Sequence, residues 1–296
     1  MFSEVITAQI QELNSSLLQA KKVRVLVQRE DLIHPDVSGN KWRKLKYNLL
    51  HAKDEGFQKV LTFGGAFSNH IAATAAAAQI MGMESVGLIR GEEHLPLNLT
   101  LAQAQEFGMH FQYVDRASYR LKAEKDWSLE FREFYIIPEG GTNALAVQGC
   151  EEIVSNTDFD IVCCACGTGG TIAGIINSLQ PHQKAIAFPA LKGADFLEQY
   201  IQQYVSSKEW EMCYDYHFGG YAKVNKELID FINNFKKEHN IPLDPVYTGK
   251  LFYGVFDLIA KHYFREGTTL LLIHTGGLQG IAGMNERIEK KGWHID

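Results

Sequence analysis

The sequence predicts an α/β fold in which parallel-rich sheets are flanked by helices. Short apolar runs alternate with helical stretches along most of the chain, which is the pattern of repeated strand–helix units. Several of these runs end in glycine pairs, at residues 64–65, 140–141 and 276–277. Open sheets of this type bind ligands beyond the carboxyl ends of their strands. The chain has 296 residues, 46% of them hydrophobic, which is enough for one large or two modest domains.

Each strand is predicted from a short apolar run that is bounded by polar residues, glycine or proline. In chain order the predicted strands cover residues 23–27, 59–63, 85–89, 109–114, 135–137, 161–165, 185–188 and 270–274. Each helix is predicted from a longer stretch between strands, and the stretch that begins at residue 68 is very rich in alanine. The predicted helices cover residues 42–55, 68–81, 97–107, 144–154, 171–178, 191–203, 226–238 and 254–263.

The charge of the chain argues against a nucleic-acid partner. The net charge is −6 at pH 7, and there is no long basic run. The first residues lack the basic and then apolar stretch of a leader sequence, and no run approaches the roughly 18 apolar residues of a membrane span. The sequence therefore predicts a cytoplasmic protein that binds neither nucleic acid nor membranes.

Cys163 and Cys166 have the spacing of half a zinc or redox site. They lie in the apolar run 161–166, and the five cysteines offer no second pair at ligand spacing. Residues three apart on a strand also face opposite sides of the sheet. Buried core cysteines are therefore the preferred interpretation, and no metal site is predicted.

Two segments carry the functional signal. Residues 38–46 read Ser-Gly-Asn-Lys-Trp-Arg-Lys-Leu-Lys, so that Lys41 follows a tight Gly-Asn turn at the start of a helix. Residues 166–171 read Cys-Gly-Thr-Gly-Gly-Thr, a glycine-rich loop between a strand and a helix. Such a loop binds phosphate through backbone N–H groups, and burial of a lysine lowers its pKa and frees the amine for Schiff-base chemistry. A reactive amine and a phosphate site together predict the cofactor pyridoxal 5′-phosphate (PLP).

Both segments also have a purely structural interpretation. Lys41 alone is compatible with a solvated lysine, and residues 167–171 are compatible with an ordinary glycine turn. The loop is not a dinucleotide fingerprint, because residue 172 is isoleucine where a third glycine is needed. No Gly-Lys-Ser/Thr of a nucleotide-binding loop follows it either. A nicotinamide-linked oxidoreductase is therefore disfavoured.

Polar residues lie at the start of the alanine-rich helix, where Ser68, Asn69 and His70 follow a glycine turn. A serine or asparagine at this place is most simply an N-cap. The same helix N-terminus is suited to a substrate carboxylate, and Asn69 to the phenolate oxygen of the cofactor.

Two tyrosines and a histidine follow further glycine-containing turns or strand ends. Tyr221 follows a glycine pair, Tyr247 lies in the segment 244–250 (Asp-Pro-Val-Tyr-Thr-Gly-Lys), and His274 ends the last strand. Taken singly, each tyrosine is most simply a packing residue, and His274 is most simply a satisfied core histidine.

Taken together and in this order, the motifs resemble those of the family of 1-aminocyclopropane-1-carboxylate (ACC) deaminases and D-cysteine desulfhydrases. The resemblance covers nearly the whole chain, from residue 29 to residue 277. Its most specific parts are the segments 38–45, 68–70, 138–143 (Pro-Glu-Gly-Gly-Thr-Asn) and 244–250.

The resemblance implies a PLP enzyme of the tryptophan synthase β-like fold (PLP fold type II) that forms a homodimer. It implies a larger PLP-binding domain, made of residues 1–44 and 146–296, and a smaller domain of residues 45–145. The cofactor is expected in the cleft between the two domains.

The resemblance also implies a role for each motif. Lys41 is the Schiff-base lysine, and Asn69 contacts the ring oxygen of the cofactor. Ser68 binds the substrate carboxylate, and Tyr221 faces the substrate. Tyr247 lies against the cofactor ring and, with Asn69 and the adjacent His70, completes the substrate-binding set. The residues that bind the phosphate are Gly167, Thr168, Gly169, Gly170 and Thr171.

Two positions distinguish the branches of this family. ACC deaminases carry a glutamate after the tyrosine of the Asp-Pro-Val-Tyr motif and a leucine before the last glycine pair, whereas this chain has Thr248 and Thr275. The hydroxyl pair resembles the desulfhydrase branch. A carboxylate near the ring nitrogen favours a protonated ring, which is a stronger electron sink. Elimination of hydrosulfide needs less of that help than opening of a cyclopropane. Which threonine contacts the nitrogen is left open by the sequence.

The sequence thus predicts a PLP-dependent lyase that performs α,β-elimination on a small amino acid, D-cysteine first, to give pyruvate, hydrogen sulfide and ammonia. The catalytic residues are Lys41 as the preferred base, Tyr221 as the second choice for that base, and Ser68. The alternatives are an ACC deaminase and a PLP-dependent racemase or dehydratase of another small amino acid. A non-catalytic PLP-binding protein is disfavoured because all of these residues are present. Region 115–134 is shorter than in typical members of the family, which leaves the natural substrate open.

Overall fold

The structure, a computed structural model, describes residues 6–122, 124–154 and 157–296. Its strands are β1 Gln9–Leu13, β2 Arg24–Arg29, β3 Lys59–Gly65, β4 Glu84–Arg90, β5 Met109–Val114, β6 Phe134–Ile137, β7 Ile161–Cys166, β8 Lys184–Pro189, β9 Trp210–Met212 and β10 Thr269–Ile273. Its helices are α1 Ser16–Lys21, α2 Asn40–Asp54, α3 Asn69–Met81, α4 Leu99–Glu106, α5 Arg116–Arg120, α6 Ala144–Cys150, α7 Gly170–Asn177, α8 Phe196–Gln202, α9 Lys226–His239, α10 Thr248–Ala260 and α11 Gly280–Ile288.

These strands form two sheets. The larger one has six strands in the order β1-β2-β10-β7-β8-β9, and it is parallel except for β1, which runs antiparallel to β2. The smaller one has four parallel strands in the order β5-β4-β3-β6. The predicted α/β fold with parallel-rich sheets is therefore confirmed.

Most predicted elements are present, and the differences have physical causes. The prediction missed β1 and β9, which are strands at the edges of the larger sheet, the short helices α1 and α5, and the helix α11. It also began α10 six residues too late, because the first turn of this helix is stabilised by a side chain that precedes the helix in the sequence. The Asp244 carboxylate accepts hydrogen bonds from the backbone N–H groups of Val246, Tyr247 and Thr248, so the helix starts at Thr248 rather than residue 254. Region 115–134 holds α5 and a 3₁₀ turn, Trp127–Leu129, and its residue 123 lies outside the described residues.

The six-stranded sheet separates two apolar cores. Cys163 points into the core that also contains α9 and α10, whereas Cys164 and Cys166 point into the core that contains α7. All of the cysteines described are free, and no group of potential ligands in the described part of the chain is arranged to hold a metal ion. The interpretation of Cys163 and Cys166 as buried core residues is therefore confirmed.

The helices α2 and α3, which begin at two of the predicted functional segments, are closely packed. α3 is buried on every side, from His70 to Ala78, which its alanine-rich sequence allows. α2 packs directly on α6, because a Cβ atom on Gly149 would lie 2.0 Å from the carbonyl oxygen of Arg43. A buried ion pair between Arg43 and Glu30 (Nε to Oε2, 3.0 Å) further ties α2 to the end of β2.

The smaller sheet lies entirely within the predicted smaller domain, residues 45–145. The proposed boundary at residues 44–45 falls inside the continuous helix α2, and the division into domains remains a prediction. In the described part of the chain, no helix is both long enough and apolar enough to cross a membrane. Residues 1–5, on which the expected lack of a leader sequence partly rests, lie outside the described residues.

Candidate active site

Lys41 lies on the first turn of α2, where the chain makes a turn that only glycine accommodates. Gly39 has φ +65° and ψ −148°, and a Cβ atom there would lie 2.0 Å from the carbonyl oxygen of Thr275. The same carbonyl accepts a hydrogen bond from the backbone N–H of Asn40 at 3.3 Å. The start of α2 is thereby held against the end of β10.

The Lys41 amine is half-buried and donates a hydrogen bond to Oδ1 of Asn40 at 3.1 Å. Burial lowers its pKa to about 8, although the nearby Cys150 and Asp244 act in the opposite direction. A lysine with such a pKa is a much better nucleophile at neutral pH than a solvated one.

A second lysine, which the sequence analysis did not single out, lies one turn further along α2. Lys44 is buried, and its amine donates hydrogen bonds to Oγ1 of Thr142 at 2.7 Å, to Oγ1 of Thr168 at 3.3 Å and to the carbonyl oxygen of Gly140. Burial and the charge of Lys41 lower its pKa to about 7. The signal in the sequence is the i, i+3 spacing of the two lysines, which places them on one face of the helix.

The glycine-rich loop 167–171 lies beside these lysines. The side chains around it would crowd a Cβ atom at each of its three glycines: one on Gly170 would lie 2.7 Å from Cγ2 of Thr142, one on Gly169 2.8 Å from Cγ1 of Ile201, and one on Gly167 3.0 Å from Cε1 of Tyr247. Gly169 has φ +82° and precedes the first turn of α7, whose N–H groups have no partner within the helix. Thr171 Oγ1 accepts a hydrogen bond from Nδ2 of Asn40 at 2.8 Å, which links the loop to the start of α2.

The site fits PLP. All of the hydrogen-bond acceptors that the described residues offer the Lys41 and Lys44 amines are neutral oxygen atoms, so neither amine has a hydrogen-bonded anion. A phosphate on loop 167–171 would supply one, with Lys44 and Thr168 next to it. The role of Lys41 as the amine that binds the aldehyde of the cofactor remains a prediction.

The N-terminus of α3 brings Ser68 and Asn69 to the same place. Ser68 is the N-cap, and its Oγ accepts a hydrogen bond from the N–H of Ile71 at 3.4 Å, which confirms the capping interpretation. Asn69 lies against the glycine pair after β10, because a Cβ atom on Gly277 would be 2.7 Å from its Nδ2. The roles of Ser68 and Asn69 toward substrate and cofactor remain predictions.

His70 is buried behind this surface. Its Nε2 lies 2.7 Å from Oγ1 of Thr62, which itself donates to the carbonyl oxygen of Ile137 at 2.9 Å, so Nε2 carries the proton. Burial, and then the charges of Lys41 and Lys44, hold the pKa of His70 well below its ordinary value. The structure thus gives His70 a neutral ring next to Gly141, and its predicted contact with substrate remains a prediction.

Tyr247 and Tyr221 form an aromatic pair at this site. Their ring centroids are 6.1 Å apart and their planes are at 67°, so the two rings meet edge to face. Tyr221 is 49% exposed, whereas burial raises the pKa of Tyr247 well above its ordinary value. The pair therefore has one inner ring and one ring that reaches solvent.

Thr248 and Thr275 occupy very different surroundings. Thr248 is fully buried, and its hydroxyl donates to Oδ1 of Asp244 at 2.7 Å and accepts from the N–H of Asp244 at 2.8 Å. Thr275 lies at the end of β10, with its carbonyl oxygen against Gly39. His274 is a core histidine as expected, because its Nε2 lies 2.7 Å from the carbonyl oxygen of Pro242 and its Nδ1 3.2 Å from Oδ1 of Asp31.

These contacts bring the predicted segments together: the start of α2, the start of α3, loop 167–171, the start of α10 with Tyr221, and the end of β10. Comparison with known proteins identifies the family of the chain. The family model described as pyridoxal-phosphate dependent enzyme matches residues 8–276. The chain belongs to this family. It is therefore a PLP-dependent enzyme, and the predicted cofactor is confirmed.

Individual relatives show to which enzymes of this family the chain is similar. A protein of Thermotoga maritima that carries the provisional name 1-aminocyclopropane-1-carboxylate deaminase is 33% identical over 89% of this chain and 92% of its own length. A similarly named protein of Pyrococcus horikoshii is 30% identical over 89% of this chain and 87% of its own length. An Arabidopsis thaliana mitochondrial protein, named as a bifunctional D-cysteine desulfhydrase and ACC deaminase, is 30% identical over 86% of this chain and 72% of its own length.

Solved structures agree with the fold. The crystal structure of an ACC deaminase homologue matches with a TM-score of 0.84 and 27% identity, over 97% of this chain and 95% of that chain. A hydrogen sulfide-producing enzyme from Fusobacterium nucleatum matches with a TM-score of 0.69 at 14% identity, over 94% of this chain and 98% of that one, which shows a shared fold alone. The predicted resemblance to the ACC deaminase and D-cysteine desulfhydrase family is thus confirmed.

Proposed function

We propose that the protein is a lyase that performs α,β-elimination on D-cysteine and produces pyruvate, hydrogen sulfide and ammonia. The observation that carries this choice is the chemistry at positions 248 and 275, where both side chains are threonines. When bound, PLP supplies the electron sink that makes the α-proton of an amino acid acidic.

The surroundings of the two threonines support a site in which no free carboxylate favours protonation of the cofactor's ring nitrogen. The carboxylate that contacts Thr248, Asp244, already accepts hydrogen bonds from three backbone N–H groups and from the Thr248 hydroxyl. It is therefore engaged in capping α10. A site with hydroxyl groups in place of a free carboxylate suits a reaction with a good leaving group, such as hydrosulfide, better than the opening of a cyclopropane.

The chain's own residues have separate tasks in this proposal. Loop 167–171 and Lys44 hold the phosphate, Asn69 the ring oxygen, and Tyr247 covers the ring. Ser68 and the N–H groups at the start of α3 bind the substrate carboxylate. Lys41 accepts the α-proton, because its lowered pKa allows a neutral amine near neutral pH. Tyr221 is the second choice for that base.

ACC deaminase is the second candidate, and the names of the Thermotoga and Pyrococcus relatives favour it. The Arabidopsis relative, whose name combines both activities, lies between the two candidates. A racemase or a dehydratase of another small amino acid, such as D-serine, is compatible with the same residues. We further propose a cytoplasmic homodimer, on the basis of the family resemblance and the frequency of such dimers among soluble enzymes.

The decisive experiment supplies D-cysteine, L-cysteine, D-serine and ACC separately to the purified, PLP-loaded protein. Sulfide and pyruvate from D-cysteine are expected, with little product from the other three. ACC contains four carbons, so its deamination yields a four-carbon 2-oxo acid that is distinguishable from pyruvate. Predominant formation of that acid would contradict the proposal and favour the second candidate. The matched control is Lys41→Ala, which is expected to lose activity and the visible absorbance of the lysine-linked cofactor.

A further inference from the structure

A third lysine, Lys250, is buried on α10 and is surrounded by backbone carbonyl groups. Its amine donates hydrogen bonds to the carbonyl oxygens of Gly220 at 2.8 Å, His217 at 2.9 Å and Ala190 at 3.3 Å. An ammonium group has three N–H donors, so the three carbonyls use its full capacity. A lysine held in this way has lost its side-chain freedom and serves to fix the groups around it.

Two of these carbonyls belong to the segment that leads to Tyr221. The backbone of this segment is left-handed at Phe218 (φ +53°), Gly219 (φ +90°), Gly220 (φ +117°) and Ala222 (φ +52°). Left-handed backbone is unfavourable for residues that have a Cβ atom, here Phe218 and Ala222. The segment therefore needs support from outside itself, and the hydrogen bonds from Lys250 provide it.

Lys250 also connects the two tyrosines of the site. Tyr247 is the N-cap residue of α10, three residues before Lys250, and Tyr221 directly follows the Gly220 carbonyl that Lys250 binds. The third carbonyl, that of Ala190, follows β8, so the amine also anchors the segment to the six-stranded sheet. Lys250 thus holds the backbone on the N-terminal side of Tyr221, whereas on its C-terminal side the carbonyl oxygen of Ala222 accepts a hydrogen bond from Nη1 of Arg287 at 3.0 Å.

We propose that Lys250 is a positioning residue that fixes Tyr221 at the active site by binding the backbone carbonyls before it. The inference rests on the proposed function in one respect, which is that Tyr221 faces the substrate. Lys250 itself touches neither substrate nor cofactor in this proposal.

The first test needs no substrate. In the PLP-loaded protein, hydrogen exchange is compared between the unaltered chain and Lys250→Met, which shortens the unbranched side chain by one atom and removes its donors. The peptide 217–223 contains the hydrogen-bonded amides of Gly219, Gly220 and Lys223. We expect these amides to exchange about tenfold faster or more in the variant. The matched control is Lys261→Met at the other end of α10, where an exposed lysine pairs with Asp257 and no change at 217–223 is expected.

The second test separates positioning from a general loss of stability. Lys250→Met is expected to lower kcat about tenfold or more, with unchanged cofactor content and visible absorbance. In a Tyr221→Phe background the same substitution is expected to have little further effect, because the hydroxyl that it positions is already absent. Lys250→Ala is expected to regain activity with added propylammonium, which replaces the missing part of the side chain.

Unchanged exchange at 217–223 would overturn the proposal. An equal loss of kcat from Lys250→Met with and without the Tyr221 hydroxyl would also overturn it, because Lys250 would then act by another route. If the unaltered protein turns over none of the tested amino acids, the proposed function fails, and the exchange comparison still supports or overturns the positioning role by itself.

Discussion

Replacement of Gly39 by alanine tests the turn that places Lys41. The backbone at φ +65° and ψ −148° lies in a region populated almost only by glycine, and holding an alanine there costs about 1–3 kcal/mol. A Cβ atom would also lie 2.0 Å from the carbonyl oxygen of Thr275, so the end of β10 and the start of α2 must separate. Such overpacking costs about 1–3 kcal/mol more. Gly39→Ala is therefore expected to lower the free energy of unfolding by roughly 4 kcal/mol, which corresponds to a midpoint roughly 10 °C lower.

The matched control is Gly56→Ala. Gly56 also has a positive φ, of +85°, but nothing lies within 4 Å of the position of its Cβ atom. We expect it to lose only about 1–2 kcal/mol, the cost of left-handed backbone alone. Urea unfolding of both variants measures the difference, and titration with PLP measures whether Lys41 is still in place. Equal losses of stability in the two variants, or full retention of PLP by Gly39→Ala, would refute the close contact between Gly39 and Thr275 as the feature that positions Lys41.

Three further predictions concern the cofactor site. Lys44→Met is expected to weaken binding of PLP about ten- to hundredfold, the usual effect of losing a hydrogen bond from a charged group. In the same spectroscopic titration, binding of pyridoxal, which lacks the phosphate, is expected to be unchanged. Equal losses of affinity for both ligands would argue against Lys44 as a phosphate ligand. Burial lowers the pKa of Lys41 to about 8, and only the neutral amine attacks an aldehyde. The rate of cofactor attachment is therefore expected to rise about tenfold per pH unit below pH 8 and to level off above it. A rise that continues to pH 10 would contradict this pKa. Thr248→Val is expected to lower the free energy of unfolding by about 1–3 kcal/mol, because Asp244 loses a buried hydrogen-bond donor. Thr275→Val is expected to change stability less and to shift the visible absorbance of the bound cofactor. A larger loss of stability from Thr275→Val, together with an absorbance shift from Thr248→Val, would reverse the roles of the two threonines.

The sequence allowed the fold class to be predicted because the central strands are continuous apolar runs. β7 and β10 are buried on both faces and need no alternation to be recognised. β1, by contrast, reads Gln-Ile-Gln-Glu-Leu and is exposed on much of its length, so it resembles a loop in composition. It becomes a strand because β2 supplies an antiparallel partner, which is a tertiary effect.

In the candidate site, too, residues with a recognisable local sequence motif were predicted, whereas residues whose roles depend on contacts distant in sequence were not. Lys41, Ser68 and loop 167–171 were recognised because each has a local signature. Lys44 and Lys250 were not, because their roles depend on contacts across 96–124 residues for Lys44 and 30–60 residues for Lys250. Thr248 was recognised as a distinguishing position, but its engagement with Asp244 required the structure.

The position of β10 has a consequence for synthesis of the protein. β10 is the last strand along the chain, yet it lies between β2 and β7 in the larger sheet, and Thr275 follows it directly. Chains fold from the N-terminus as they leave the ribosome, so β2 and β7 emerge without the neighbour that joins them. The smaller sheet, in contrast, has all of its strands within residues 59–137 and is complete early. Because the start of α2 packs on Thr275, it reaches its final contacts only after Thr275 has emerged, and we expect a prematurely released chain to retain PLP poorly.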